Sequence, residues 1–195
     1  MKAVPTSRSL VFAAIALVGC LADLATKSWI FGRLGPPPIH RPGPILWVAG
    51  HFFGFQTNLN EGALFGMGQG FVPVFAGLSV LALTGILFWL FYFGAARQWL
   101  LCVALGCVSA GILGNLYDRL GLPSLKWGMG HPLHSPGEPV HAVRDWILVM
   151  IGKWPWPTFN IADSLLVCGA ALLVWHAFCT PPELNPSTVA ETHEP

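Results

Sequence analysis

Four apolar runs decide what this chain can fold into. They cover residues 10–31, 71–93, 98–117 and 160–179, and the third carries no charge along its length. About 20 residues at ~1.5 Å each cross a ~30 Å hydrocarbon layer, so each run is long enough for a membrane helix. Composition agrees. Charged residues are only 10% of the chain, where a soluble domain carries about 25%, and mean hydropathy is +0.61. A net charge of +1 gives no electrostatic footing for a nucleic-acid partner. The absence of any long polar, low-complexity stretch excludes a mainly disordered chain.

Four spans put both termini on one side and two long connections on the other. The first connection, 32–70, opens with Pro36, Pro37, Pro38, Pro42 and Pro44, which favour extended backbone. Residues 45–58 are apolar and aromatic and read as short strands lying on the membrane surface. The second, 119–158, reads as an extended loop ending in Trp154, Pro155, Trp156 and Pro157, an interfacial anchor. Residues 181–195 form a polar tail. The expected fold is therefore an all-α membrane protein of four helices. It carries a small β-like subdomain, and a loop extends between helices 3 and 4. Positive charges are three on the terminus side (Lys2, Arg8, Arg97) against six on the far side, so charge alone leaves orientation open.

Cys20, Cys102, Cys107, Cys168 and Cys179 lie in or beside apolar runs without C-x-x-C spacing, and read as buried free thiols. A lipoprotein signal ending at Cys20 is disfavoured, because the apolar pattern runs on to Phe31 and three more spans follow. His131, His134 and His141 fit no standard metal-ligand spacing, so no metal and no other cofactor is expected.

Ionisable groups in or beside membrane spans are costly and mark function. Here they are Asp23, Lys27, Asp118, Arg119, Asp145 and Asp163. Asp23 and Lys27 share a helix face at i, i+4. The end of the third span and the start of the fourth meet on the far side, and each carries N-x-x-D: Asn115 with Asp118, and Asn160 with Asp163. With Asp145, three carboxylates are available at one edge. Two carboxylates a few ångströms apart share one proton, so one activates water while the other protonates a carbonyl oxygen. Spacing alone does not say which two. Rival readings are a small transporter or proton relay with the aspartates at mid-membrane depth, and a non-enzymatic scaffold.

Five blocks then resemble the lipoprotein signal peptidase (signal peptidase II) family in order. They are Asp23-Leu-Ala-Thr-Lys27, Asn60-Glu-Gly-Ala-Leu-Phe65, Gly111-Ile-Leu-Gly-Asn-Leu-Tyr-Asp-Arg119, Val143-Arg-Asp-Trp-Ile147 and Phe159-Asn-Ile-Ala-Asp163. The resemblance implies a four-span membrane aspartyl peptidase over residues 1–180, with Asp145 and Asp163 as the catalytic pair. Asn60, Gly111, Asn115, Asp118, Arg119, Asn160 and Ala162 match the family's surround of the site, and Asp23 and Lys27 its first-helix polar pair. It implies a lipidated prolipoprotein substrate, cut before its diacylglyceryl-modified cysteine. It also implies membrane lipids as partners, a monomer, cytoplasmic termini, and a site on the outer face of the bacterial cytoplasmic membrane. Two departures stand out. Arg119 and Asp145 are 26 positions apart, longer than the family pattern, so residues 123–141 form an insertion expected beside the site. Arg144 replaces an apolar residue and is expected to lower the pKa of Asp145.

Overall fold

A computed structural model of the chain describes residues 4–39, 43–62 and 67–179. The polar tail, and the Ala63, Leu64 and Phe65 end of the second motif, lie outside the described residues. Four helices follow the four apolar runs: α1 (Thr6–Leu34), α2 (Val72–Leu87), α3 (Trp99–Arg119) and α4 (Ile161–Cys179). A π-helical turn, Phe88–Tyr92, prolongs α2, and all four are long and apolar enough to cross a membrane. Pro73 sits in the first turn of α2, where its missing N–H costs nothing. Gly94, at φ 76°, takes the left-handed conformation that turns the chain towards α3.

The helix α3 is the axis of the bundle, with α1 and α4 packed along it and α2 on its side. Ala104, Gly106, Ser109, Ala110, Gly111 and Gly114 are all buried on α3, so neighbouring helix backbones come close. At one end Arg8 stacks on Trp99, 4.0 Å from the ring centre, and so joins the starts of α1 and α3. At the other end late α1, late α3 and the start of α4 converge. The 29 residues of α1 rise about 43 Å, more than the ~30 Å hydrocarbon layer. Its last turns therefore reach beyond the other spans, where Ile30 and Phe31 pack under Trp146 and Ile147.

Those two residues belong to an antiparallel sheet in the order β1 (Leu46–Ala49), β2 (Phe53–Asn60), β3 (Val143–Ile151), β4 (Trp154–Pro155). The expected surface strands are β1 and β2. The strand β3 corrects the expectation of an extended loop between helices 3 and 4. It pairs with β2, Asn58 opposite Asp145 and Asn60 opposite Val143. Val143 to Leu148 are buried without alternation, because this stretch of β3 is covered on both faces. A strand of this kind has no period-two pattern to read.

The cysteines need a second correction. Only Cys102 is buried, while Cys168 and Cys179 are exposed on α4. Lipid is as apolar as a protein core, so an apolar run does not distinguish the two environments.

Candidate active site

The site rests on a buried charge cluster. Lys27 on α1 has no exposed side-chain surface and lies 2.7 Å from Asp23 and 3.0 Å from Asp118 of α3. Arg144 supplies the second cation, its Nε 2.8 Å from Asp118 Oδ1. Two cations thus face two carboxylates, the arrangement that makes ion burial tolerable. Lys27 and Arg144, and not its chain neighbour Arg119, are the cations within ion-pair distance of Asp118. Arg144 also overturns its own expectation. Successive strand residues point to opposite faces, so Arg144 reaches Asp118 beneath the sheet, while Asp145 faces the other way.

The cluster holds the start of α4 in place. Asp23 Oδ1 accepts the backbone N–H of Ala162 at 2.9 Å. The packing there is tight. A Cβ on Gly114 would collide with the Asp23 carboxylate, and one on Gly111 with the carbonyl oxygen of Ala162. Gly111 and Ala162, both expected at the site, therefore act by permitting this contact.

A chain of side-chain amides leads from the cluster to two aspartates. Lys27 Nζ donates to Asn115 Oδ1 at 2.9 Å. Asn115 Nδ2 donates to Asp163 Oδ1 at 2.8 Å, and the Asn160 backbone N–H donates to Asp163 Oδ2 at 3.1 Å. Asn160 Oδ1 accepts the N–H of Asp163 at 2.9 Å, which turns its Nδ2 towards Asp145 Oδ1, 2.7 Å away. Asn60, at the end of β2, donates to the other oxygen, Asp145 Oδ2, at 3.3 Å. Burial, and then the charge of Asp163, push the Asp145 carboxyl up to about 8 from an ordinary 3.8, against the opposing pull of Lys27, Asn160 and Asn60.

Asp145 and Asp163 open into one cavity of about 310 Å³. Its polar end carries Asn60, Asn115 and Arg119; its apolar end runs between the helices past Ser79, Ile112, Leu166 and Val167. Arg119 donates from Nη2 to the carbonyl oxygen of Gly62 at 3.1 Å. All eleven residues singled out in the sequence therefore gather at this end of the bundle. The apolar lining residues escaped notice, since within a span they look like any lipid-facing position. Gly62 lies in the second matched block but was not singled out there, because its contribution is a backbone carbonyl. Among the described residues no group of three or more His, Cys, Asp or Glu side chains is placed to hold a metal.

Residues 15–179 match the family model described as signal peptidase (SPase) II. The chain belongs to that family. It is thus a protease, of the aspartic type, and a multi-pass membrane protein. Among curated relatives of the signal peptidase II chain is a lipoprotein signal peptidase of Rhodopirellula baltica. It is 44% identical over 177 residues, covering 90% of this chain and 75% of the relative. The lipoprotein signal peptidase of Yersinia pestis is 29% identical over 178 residues, covering 88% of each. A solved bacterial membrane enzyme, 24% identical, superposes with a TM-score of 0.66 over 94% of this chain and 98% of its own, and speaks for the fold alone. Another reaches 0.65 at 25% identity, covering 92% and 97%.

Proposed function

We propose that the protein removes the signal peptide from diacylglyceryl-modified prolipoproteins, cutting before the lipidated cysteine with water activated by Asp145 and Asp163. The observation that carries this reading is the binding of both carboxylates into one amide network at the mouth of a cavity with an apolar interior. The acyl chains and the signal helix suit the apolar end, and the scissile amide suits the polar end.

The chemistry divides between the two acids. Asp163 accepts N–H groups on both oxygens and serves as the base. Asp145, with its carboxyl pushed up to about 8, holds the shared proton near neutral pH. Water attacks the scissile carbonyl carbon as Asp163 takes its proton, and Asp145 protonates the carbonyl oxygen. Collapse of the tetrahedral intermediate breaks the C–N bond; the proton held by Asp163 passes to the leaving amine, and a hydroxyl of the intermediate returns its proton to Asp145. The products are a signal peptide ending in a carboxylate and a lipidated cysteine with a free amino group.

In this reading residues 1–180 form the peptidase unit and 181–195 a cytoplasmic tail. Both termini are cytoplasmic, and the sheet lies on the outer side of the cytoplasmic membrane. In the same reading the protein acts as a monomer with membrane lipids around it. The test is cleavage of a lipidated precursor peptide beside its unlipidated twin by the purified protein. Cutting of the lipidated peptide alone, before its cysteine, is expected; equal cutting of both, or of neither, rejects the reading.

A further inference from the structure

Residues 120–142, between α3 and β3, fold back on themselves. Lys126 bridges Pro139, Trp127 N–H donates to the Glu138 carbonyl at 2.9 Å, and Val140 N–H to the Leu125 carbonyl at 2.9 Å. Trp127, Val140 and Ala142 are buried in this small hairpin and pack against Leu59 of β2. Towards its tip the ring of His134 lies flat on Trp127, 4.5 Å between centres and 3° from parallel.

His134 reaches out of the hairpin to the end of β2. Its Nε2 is 2.6 Å from Glu61 Oε1, and its Nδ1 is 3.5 Å from Glu138 Oε2. Glu61 is only 8% exposed. Its two chain neighbours both belong to the site: Asn60 donates to Asp145, and the Gly62 carbonyl accepts from Arg119. The Gly62 N–H, in turn, donates to Asn60 Oδ1 at 2.9 Å and so sets which end of that amide faces Asp145. A short charge-assisted bond to a nearly buried carboxylate is strong. Here it fixes the one residue between two that act at the site, Asn60 through its side-chain amide and Gly62 through its backbone carbonyl.

We propose that His134 and Glu61 are positioning residues of the cleavage reaction. The inserted hairpin grips the end of β2 through this pair, and thereby holds Asn60 against Asp145 and Gly62 against Arg119. The role rests on the peptidase reading above. Neither residue touches the reacting atoms.

The test uses the full-length protein and the lipidated precursor peptide, with His134→Ala, Glu61→Gln and the double variant. Each single variant is expected to lower kcat roughly fivefold or more with KM little changed, and the double variant to be no worse than the poorer single one. Hydrogen exchange at the Gly62 amide should speed up in His134→Ala, a readout independent of turnover. Wild-type kcat in both single variants, losses that multiply in the double, or unchanged exchange at Gly62 overturns the proposal while the peptidase reading stands. Failure of the wild-type chain to cut the peptide removes both.

Discussion

Lys27 Nζ donates to Asn115 Oδ1, and that bond decides which way the Asn115 amide faces. An ammonium group only donates, so the amide oxygen must point at it and the NH₂ at Asp163. The buried lysine thus sets the hydrogen bonding of a carboxylate it does not touch. Asn115→Ala should lower kcat by about ten- to a hundredfold, the scale of a hydrogen bond to a charged group, with a smaller change in KM. Steady-state kinetics on the lipidated peptide checks this. Lys27→Met leaves Asp23 and Asp118 without their shared cation and should cost about 3–5 kcal/mol, read as a lower Tm.

Asp145→Asn and Asp163→Asn should each reduce cleavage at least ~10²-fold, the usual scale of general acid–base help. Both proteins should still fractionate with the membrane, since neither carboxylate belongs to the cluster around Lys27. Full processing by Asp145→Asn would reject the pair and point to Asp118 instead.

The proton on Asp145 predicts a pH limit. As its carboxyl, pushed up to about 8, ionises, the pair loses the proton needed at the carbonyl oxygen. Cleavage should fall as pH rises through about 8, measured as a kcat/KM profile. Stability follows the same sign. Folding raises this pKa above the ordinary 3.8, so the native state favours the neutral acid. Its contribution is complete below about pH 4 and is lost as pH climbs towards about 8. The Tm of Asp145→Asn should lack that part of the decline.

Arg144→Met separates the charge cluster from the chemistry. It should lower Tm by removing one partner of a buried ion pair. The alkaline limb of the kcat/KM profile should stay in place, because Arg144 bonds to Asp118 and lies across the strand from Asp145.

Gly111→Val should abolish cleavage by forcing α4 away from α3. The added side chain would meet the Ala162 carbonyl and Leu166, one residue before Asp163 in the first case and one turn beyond Ala162 in the second. A shorter-lived fold and loss of activity together, with Gly111→Ala milder than Gly111→Val, are the expected pattern.

The helices were legible because length and apolarity alone define a span; each run differs from its helix by only a few residues at either end. The site was legible because charges are rare in such a chain, so Asp23, Lys27 and the two N-x-x-D pairs stood out. The strand β3 was hidden, since a segment buried on both faces has no alternation and Arg144 and Asp145 made it look like loop. The role of Arg144 was hidden for a related reason. Adjacency in sequence suggested that Arg144 would lower the pKa of Asp145, whereas strand geometry sends neighbours to opposite faces. The same residue also distorted the count of positive charges, because a buried, paired guanidinium says little about sidedness.

Ser79, Leu166 and Val167 help line the cavity that holds the aspartates, and Val167 is largely exposed on the outside of the bundle. For the lipidated substrate proposed above, that exposure offers a route to the site by diffusion within its own leaflet. Encounter depends on molecules per unit of membrane area, and bulk molarity loses its meaning. At constant enzyme and substrate, adding inert lipid should slow the reaction by surface dilution alone.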